Sequence, residues 1–126
     1  MVQAFEVDFE PDVSRVQHMR RITKANLRHW KLAAVMVEAL LIVSELVTNA
    51  IQHGDGPVRL RVEHHAHELR IEVTDGSPTM PVLREAGDDD ESGRGLVLVA
   101  AMAEEWGVSG DGETIWCSLA LPPDGA

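Results

Sequence analysis

The chain has 126 residues, 44% of them hydrophobic and 25% charged, and a formal charge of −10 at pH 7. Those fractions belong to an ordinary globular protein, and the length suits one domain over 1–126, with a real core but no room for two. The acidic balance argues against a nucleic-acid binder, whose footprint is a basic patch, and permits a basic protein partner.

The opening residues, MVQAFEVDFE, lack the basic start and apolar stretch of a secretion signal. Their alternation puts Phe5, Val7 and Phe9 on one side, which predicts a strand over 2–9. Pro11-Asp12 then opens a helix to about Trp30, with Val13, Val16, Met19, Thr23, Leu27 and Trp30 in line. A second helix is expected over about 32–53, with a core stripe of Val35, Ala39, Ile42, Val43, Leu46 and Ala50. It ends at His53-Gly54-Asp55-Gly56-Pro57, a cluster of breakers. Glu38 and Glu45 interrupt its apolar run, and a charge at mid-membrane costs roughly 3 kcal/mol, so the run reads as a core helix and not a membrane span.

Val58, Leu60 and Val62 alternate with Arg59, Arg61 and Glu63, and Leu69, Ile71 and Val73 with Arg70, Glu72 and Thr74. The loop at His65-Ala66-His67 joins these two strands into an antiparallel hairpin. Residues 76–92 have loop composition, ending in the acidic run Asp88-Asp89-Asp90-Glu91. Gly93-Arg94-Gly95 leads into a short apolar helix over 96–105, and strands near 106–110 and 113–121 close the chain. The order β-α-α-β-β-α-β-β points to an α+β fold: a two-layer α/β sandwich, helices on one face of a mixed, mostly antiparallel sheet. The single cysteine, Cys117, forms no internal disulfide and reads as a core residue beside Ile115 and Leu119. A reducing, cytoplasmic setting away from membranes is expected.

Two places carry polar residues where the pattern asks for apolar ones, and a third carries paired glycines before a helix. Glu45 and Asn49 lie four apart on one helix face, with Gln52 just beyond. They sit either on the solvent edge of an amphipathic helix or against a ligand. In the second case the Asn oxygen is a neutral, hard ligand for magnesium, and the Glu can deprotonate a nucleophile attacking a phosphoryl group. Asp75 continues the inward series Leu69, Ile71, Val73. It either caps an Asp-Gly turn or accepts a donor such as the exocyclic amine of adenine. Gly93-x-Gly95 before a helix is either a flexible start or a phosphate cradle of converging backbone N–H groups.

The ordered stretches "SELVTNAIQHG", "VTDGSP", "GRGLVLV" and "GETIW" resemble the GHKL ATPases, the Bergerat fold, and within them the stand-alone anti-sigma-factor serine kinases. The resemblance runs over nearly the whole chain. It implies that Asn49 binds magnesium and that Glu45 is the general base. It implies that Asp75 accepts the adenine amine, with Ser77 beside the base and Thr114 near the associated water. Gly93 and Gly95 would wrap the phosphates of ATP, with Arg94 and Leu96 in the same turn, and 79–92 would form the lid. The implied function is an ATP-dependent serine/threonine-protein kinase that phosphorylates a small antagonist protein and controls transcription by partner switching with a sigma factor. The alternative is a nucleotide-gated binding module without useful kinase activity. A symmetric homodimer is implied by resemblance only. The family's first glycine motif reads Asp-x-Gly-x-Gly. Here it is Asp75-Gly76-Ser77-Pro78-Thr79, in which Pro78 removes an N–H donor.

His64-His65-Ala66-His67 is read as a hairpin tip rather than a metal cluster, because adjacent strand residues face opposite ways. Trp30, Trp106 and Trp116 are read as packing residues. His18, followed by Met19-Arg20-Arg21, lacks the surroundings of a histidine-kinase phosphoacceptor.

Overall fold

A computed structural model of the chain describes residues 2–53, 56–75, 99, 101–109 and 113–122. Strand β1 (Gln3–Phe9) leads into helix α1 (Ser14–His29), followed by a 3₁₀ turn (Ala33–Val35) and helix α2 (Met36–His53). Strands β2 (Val58–His64), β3 (Glu68–Thr74), β4 (Glu105–Val108) and β5 (Thr114–Ala120) complete the described elements. The sheet order is β1-β2-β3-β5-β4, and every pairing among the described residues is antiparallel. The expected α+β sandwich is therefore present, its described strands all paired antiparallel.

Register explains why one face is dry. Val7 pairs with Leu60, Leu60 with Val73 and Val73 with Ile115; one step along, Phe5, Val62, Ile71 and Cys117 form the next row. Residues opposite one another share a face, so these rows make one apolar surface. The stripe Val35, Ala39, Ile42, Val43, Leu46 and Ala50 of the 3₁₀ turn and α2 is buried with it, as the pattern predicted. The segment Ala33–His53 is long and apolar enough to cross a membrane, but its apolar stripe is the one in this core.

On α1, Met19, Thr23 and Leu27 are buried, and the hydroxyl of Thr23 donates to the Met19 carbonyl at 2.8 Å. Val13, expected in the same line, is instead exposed. It stands outside the first turn, because the Ser14 N–H donates to Asp12 Oδ1 at 2.9 Å and starts the helix one residue later. The far end closes with Lys31 at φ 60°, where the Lys31 N–H reaches the Arg28 carbonyl at 3.1 Å and the Leu32 N–H reaches Leu27 at 2.9 Å. That pair of bonds is a Schellman cap, built here around a lysine instead of the usual glycine.

The helix expected over 96–105 ends earlier. Residues 99, 101 and 102 are helical and the Ala103 N–H still donates back to the Val99 carbonyl at 2.8 Å. The Glu104 N–H instead donates to Ser118 on β5 at 2.8 Å, so sheet pairing takes over and Glu105 opens β4. The second face of the sheet is a lattice of opposite charges. Arg59 donates to Asp8 at 2.7 Å, Arg61 to Glu63 at 2.5 Å and Arg70 to Glu72 at 2.6 Å.

Candidate functional site

The α1–α2 contact occupies one flank of α2. Arg20 of α1 donates to the Ser44 hydroxyl and, at 3.4 Å, to the Leu40 carbonyl. Leu40 and Ser44 lie on one side of the buried stripe at 100° per residue, and Glu45 and Asn49 lie on the other. Both are half-buried. Thus the polar pair stands on the flank turned away from α1, beside the core and not on the outermost arc of the helix.

Chain connectivity brings the end of α2 to the end of β3. After α2 ends at His53, the chain enters β2 at Val58, and Arg59 near the start of β2 pairs with Thr74 at the end of β3. Asn49 lies four residues, or about 6 Å of helix rise, before that end. The half-buried Asp75 follows Thr74 directly and ties β3 to the start of β5, its N–H donating to the Glu113 carbonyl at 3.0 Å. The last turn of α2, with Asn49 just before it, and Asp75 therefore lie toward one end of the sandwich, while Glu45 stands at the middle of the helix.

Thr114 is the surprise. Its register partner is Thr74, and the two hydroxyls lie 2.8 Å apart. Val73 and Ile115 face the core, so Thr74 and Thr114 share the opposite face, away from the inward series that Asp75 continues. The cross-strand pair decides its direction. Thr74 went unnoticed in the sequence, where it reads only as the polar half of an alternation. Ser77, Gly93, Arg94, Gly95 and Leu96, and the expected lid 79–92, lie outside the described residues.

Asp75 also lines a cleft of about 730 Å³ between the start of α1 and the ends of β1, β2 and β3. Arg15, His18 and Arg59 bring positive or titratable groups to it, and Asp8 and Glu10 bring carboxylates. Glu45 and Asn49 do not line it. The volume suits a small molecule. Its charges are partly spent on each other, however: Arg15 donates to His18 Nδ1 at 3.1 Å, and Arg59 holds the Asp8 carboxyl below its ordinary range.

Two of the three hairpin histidines are engaged elsewhere. His65 Nε2 donates to Glu63 at 2.9 Å, His64 Nδ1 donates to Gln3 at 3.0 Å, and the His64 ring lies 5.8 Å from that of Trp30. Cys117 is buried, and loss of solvation pushes its thiol up to about 12.

The profile of the histidine kinase-like ATPase domain matches residues 9–119, which span β1 to β5. The chain belongs to that family. It is also similar to an uncharacterized protein of Streptomyces coelicolor, SCO4941, at 43% identity over 89 residues, covering 64% of this chain and 84% of the relative. A histidine kinase-like ATPase domain implies ATP binding and usually magnesium. The donor chemistry fits both. Asn49 offers a neutral amide oxygen of the kind magnesium accepts, and Asp75 a carboxylate that can only accept hydrogen bonds when ionised.

Proposed function

We propose that this histidine kinase-like ATPase domain is a regulatory protein serine kinase of the anti-sigma type, which transfers phosphate from ATP to a serine on a small antagonist protein. The observation that carries the reading is the placement of Glu45 and Asn49. They share the flank of α2 opposite the Arg20–Ser44 contact with α1, which supports a role for the pair together. In this reading the Asp75 carboxylate accepts the adenine amine and fixes the base. The Asn49 amide oxygen would hold magnesium, which would supply positive charge to the phosphate oxygens. Glu45, one helical turn from Asn49, takes the proton from the serine hydroxyl as its oxygen bonds to the γ-phosphorus and the bond from that phosphorus to ADP breaks, releasing ADP. Gly93 and Gly95 would donate backbone N–H groups to the phosphates, with Arg94 and Leu96 as their chain neighbours, and Ser77 would neighbour the base. A sigma factor is the competing partner, and phosphorylation of the antagonist decides which one is held.

A second reading, a binding module gated by nucleotide, is favoured by one feature. Asp75-Gly76-Ser77-Pro78-Thr79 lacks the two later glycines of the usual motif, and Pro78 has no N–H to donate. Incubation with γ-labelled ATP and the cognate antagonist separates the two. A kinase labels the antagonist, and Glu45→Ala lowers transfer by roughly a hundredfold or more while ATP binding persists. A gated binder labels nothing, and its Glu45→Ala variant regulates its partner as the wild type does.

A further inference from the structure

Thr114 does not act alone. Its hydroxyl meets that of Thr74 at 2.8 Å, and its backbone N–H donates to the Ser109 hydroxyl at 3.3 Å. The Ser109 N–H returns a bond to the Thr114 carbonyl at 2.8 Å, and the Asp75 N–H bonds Glu113 at 3.0 Å. Three successive segments are thus tied together where Asp75 leaves the sheet: the end of β3, the start of β5 and the residue after β4. Antiparallel partners without ladder bonds between them bring their side chains closest, and the ladder bond one step on, at Asp75, marks Thr74 and Thr114 as such a pair.

We infer that Thr74 and Thr114 form a hydroxyl clasp on the outer face of the sheet that sets the direction of the Asp75 carboxylate, making both threonines positioning residues for recognition of the exocyclic amine of an adenine nucleotide. This rests on the reading of Asp75 as the adenine acceptor. The argument is one of leverage. Asp75 is bonded to Thr74 through the chain, and its own N–H is fixed to the residue before Thr114, so both backbone anchors of Asp75 adjoin a clasped threonine. A change in strand spacing at the clasp tilts the Cα–Cβ bond of Asp75 on the opposite face. A threonine that touched the base itself would have no need of Thr74.

The test is calorimetric titration of the full chain with magnesium-ATP and with the triphosphate of purine riboside, which lacks the exocyclic amine. Variants are Thr74→Val, Thr114→Val, the double variant, Thr74→Ser, Thr114→Ser and Asp75→Asn. Each valine variant is expected to weaken ATP binding by about two- to fivefold, the worth of one cross-strand threonine pair. Purine riboside triphosphate should bind all of them as it binds the wild type. The double variant should be no worse than either single one, because one bond is lost in every case. The serine variants should restore ATP binding. Thr74→Val at wild-type affinity, or a double variant whose loss is the product of the single losses, overturns the clasp. Equal losses for both nucleotides also overturn it, since a general loosening of the fold does not distinguish them. If Asp75→Asn leaves ATP affinity unchanged, the adenine reading fails and the inference falls with it. If Asp75→Asn selectively weakens ATP while Thr74→Val does not, only the clasp fails.

Discussion

Arg70 lies over the Trp116 ring on the outer face of the sheet, its guanidinium carbon 4.3 Å from the ring centroid. The register sets Gly107 of β4 opposite Trp116, so that the indole spreads across a strand position with no side chain. A Cβ placed at Gly107 would stand 3.0 Å from Trp116 Cζ2 and 3.1 Å from its Nε1. The aromatic, the cation above it and the glycine beneath form one packed unit.

Gly107→Ala is therefore expected to destabilise the fold by about 1 kcal/mol, the lower end of overpacking costs, and to lower the melting temperature by a few degrees. Thermal unfolding followed by far-ultraviolet circular dichroism measures it. An unchanged midpoint would mean that the ring yields without cost.

Lys31 occupies the left-handed region at φ 60°, where an L-residue with a Cβ is strained and glycine is not. Its backbone bonds to Arg28 and, through Leu32, to Leu27 do not involve the side chain. Lys31→Gly should raise stability by up to about 1 kcal/mol, which chemical denaturation reads as a higher midpoint at constant slope. A lower midpoint would show that the ammonium contributes more than the strain costs.

Glu63 accepts a hydrogen bond from His65, which lowers its pKa; burial opposes this, and Arg61 adds to the lowering. A carboxyl depressed in the folded state contributes stability that is present above its unfolded pKa, about 4.3, and is lost as pH falls through the folded value. Denaturation midpoints of the wild type should thus fall below about pH 4.3, and Glu63→Gln should flatten that acid limb while lowering stability at neutral pH. An acid limb identical in the two proteins would remove Glu63 from the account.

The Cys117 thiol, buried and pushed up to about 12, has almost no thiolate at neutral pH. An aromatic disulfide reagent at pH 8 should modify it only as fast as the protein opens, and at once in denaturant. Rapid modification of the native protein would show that β5 opens locally.

Much of the architecture could be read directly from the chain because its periods are clean. Val58-Leu60-Val62 and Leu69-Ile71-Val73 alternate without a break, and both strands occur where expected. The α2 stripe was equally plain, since an eighteen-residue helix buried along one side repeats its pattern five times. Element ends were harder: a local bond to Asp12 starts α1 one residue late, and a bond from a distant strand, at Ser118, draws Glu104 out of the helix. Counting by fours placed Glu45 and Asn49 on one flank of α2, and counting by twos placed Asp75 just past the end of β3. The cross-strand partner of Thr114, Thr74, lies forty residues away, and only sheet register supplies it.

The central claim is that the end of the sandwich marked by Asp75 and Asn49 takes up an adenine nucleotide, and calorimetric titration of magnesium-ATP into the wild type and Asp75→Asn tests it most directly. The account predicts saturable one-site binding to the wild type. It predicts a loss of about tenfold or more in Asp75→Asn, the worth of a hydrogen bond to a charged group. Equal affinity of the two proteins, or no binding to a folded wild type, would contradict it.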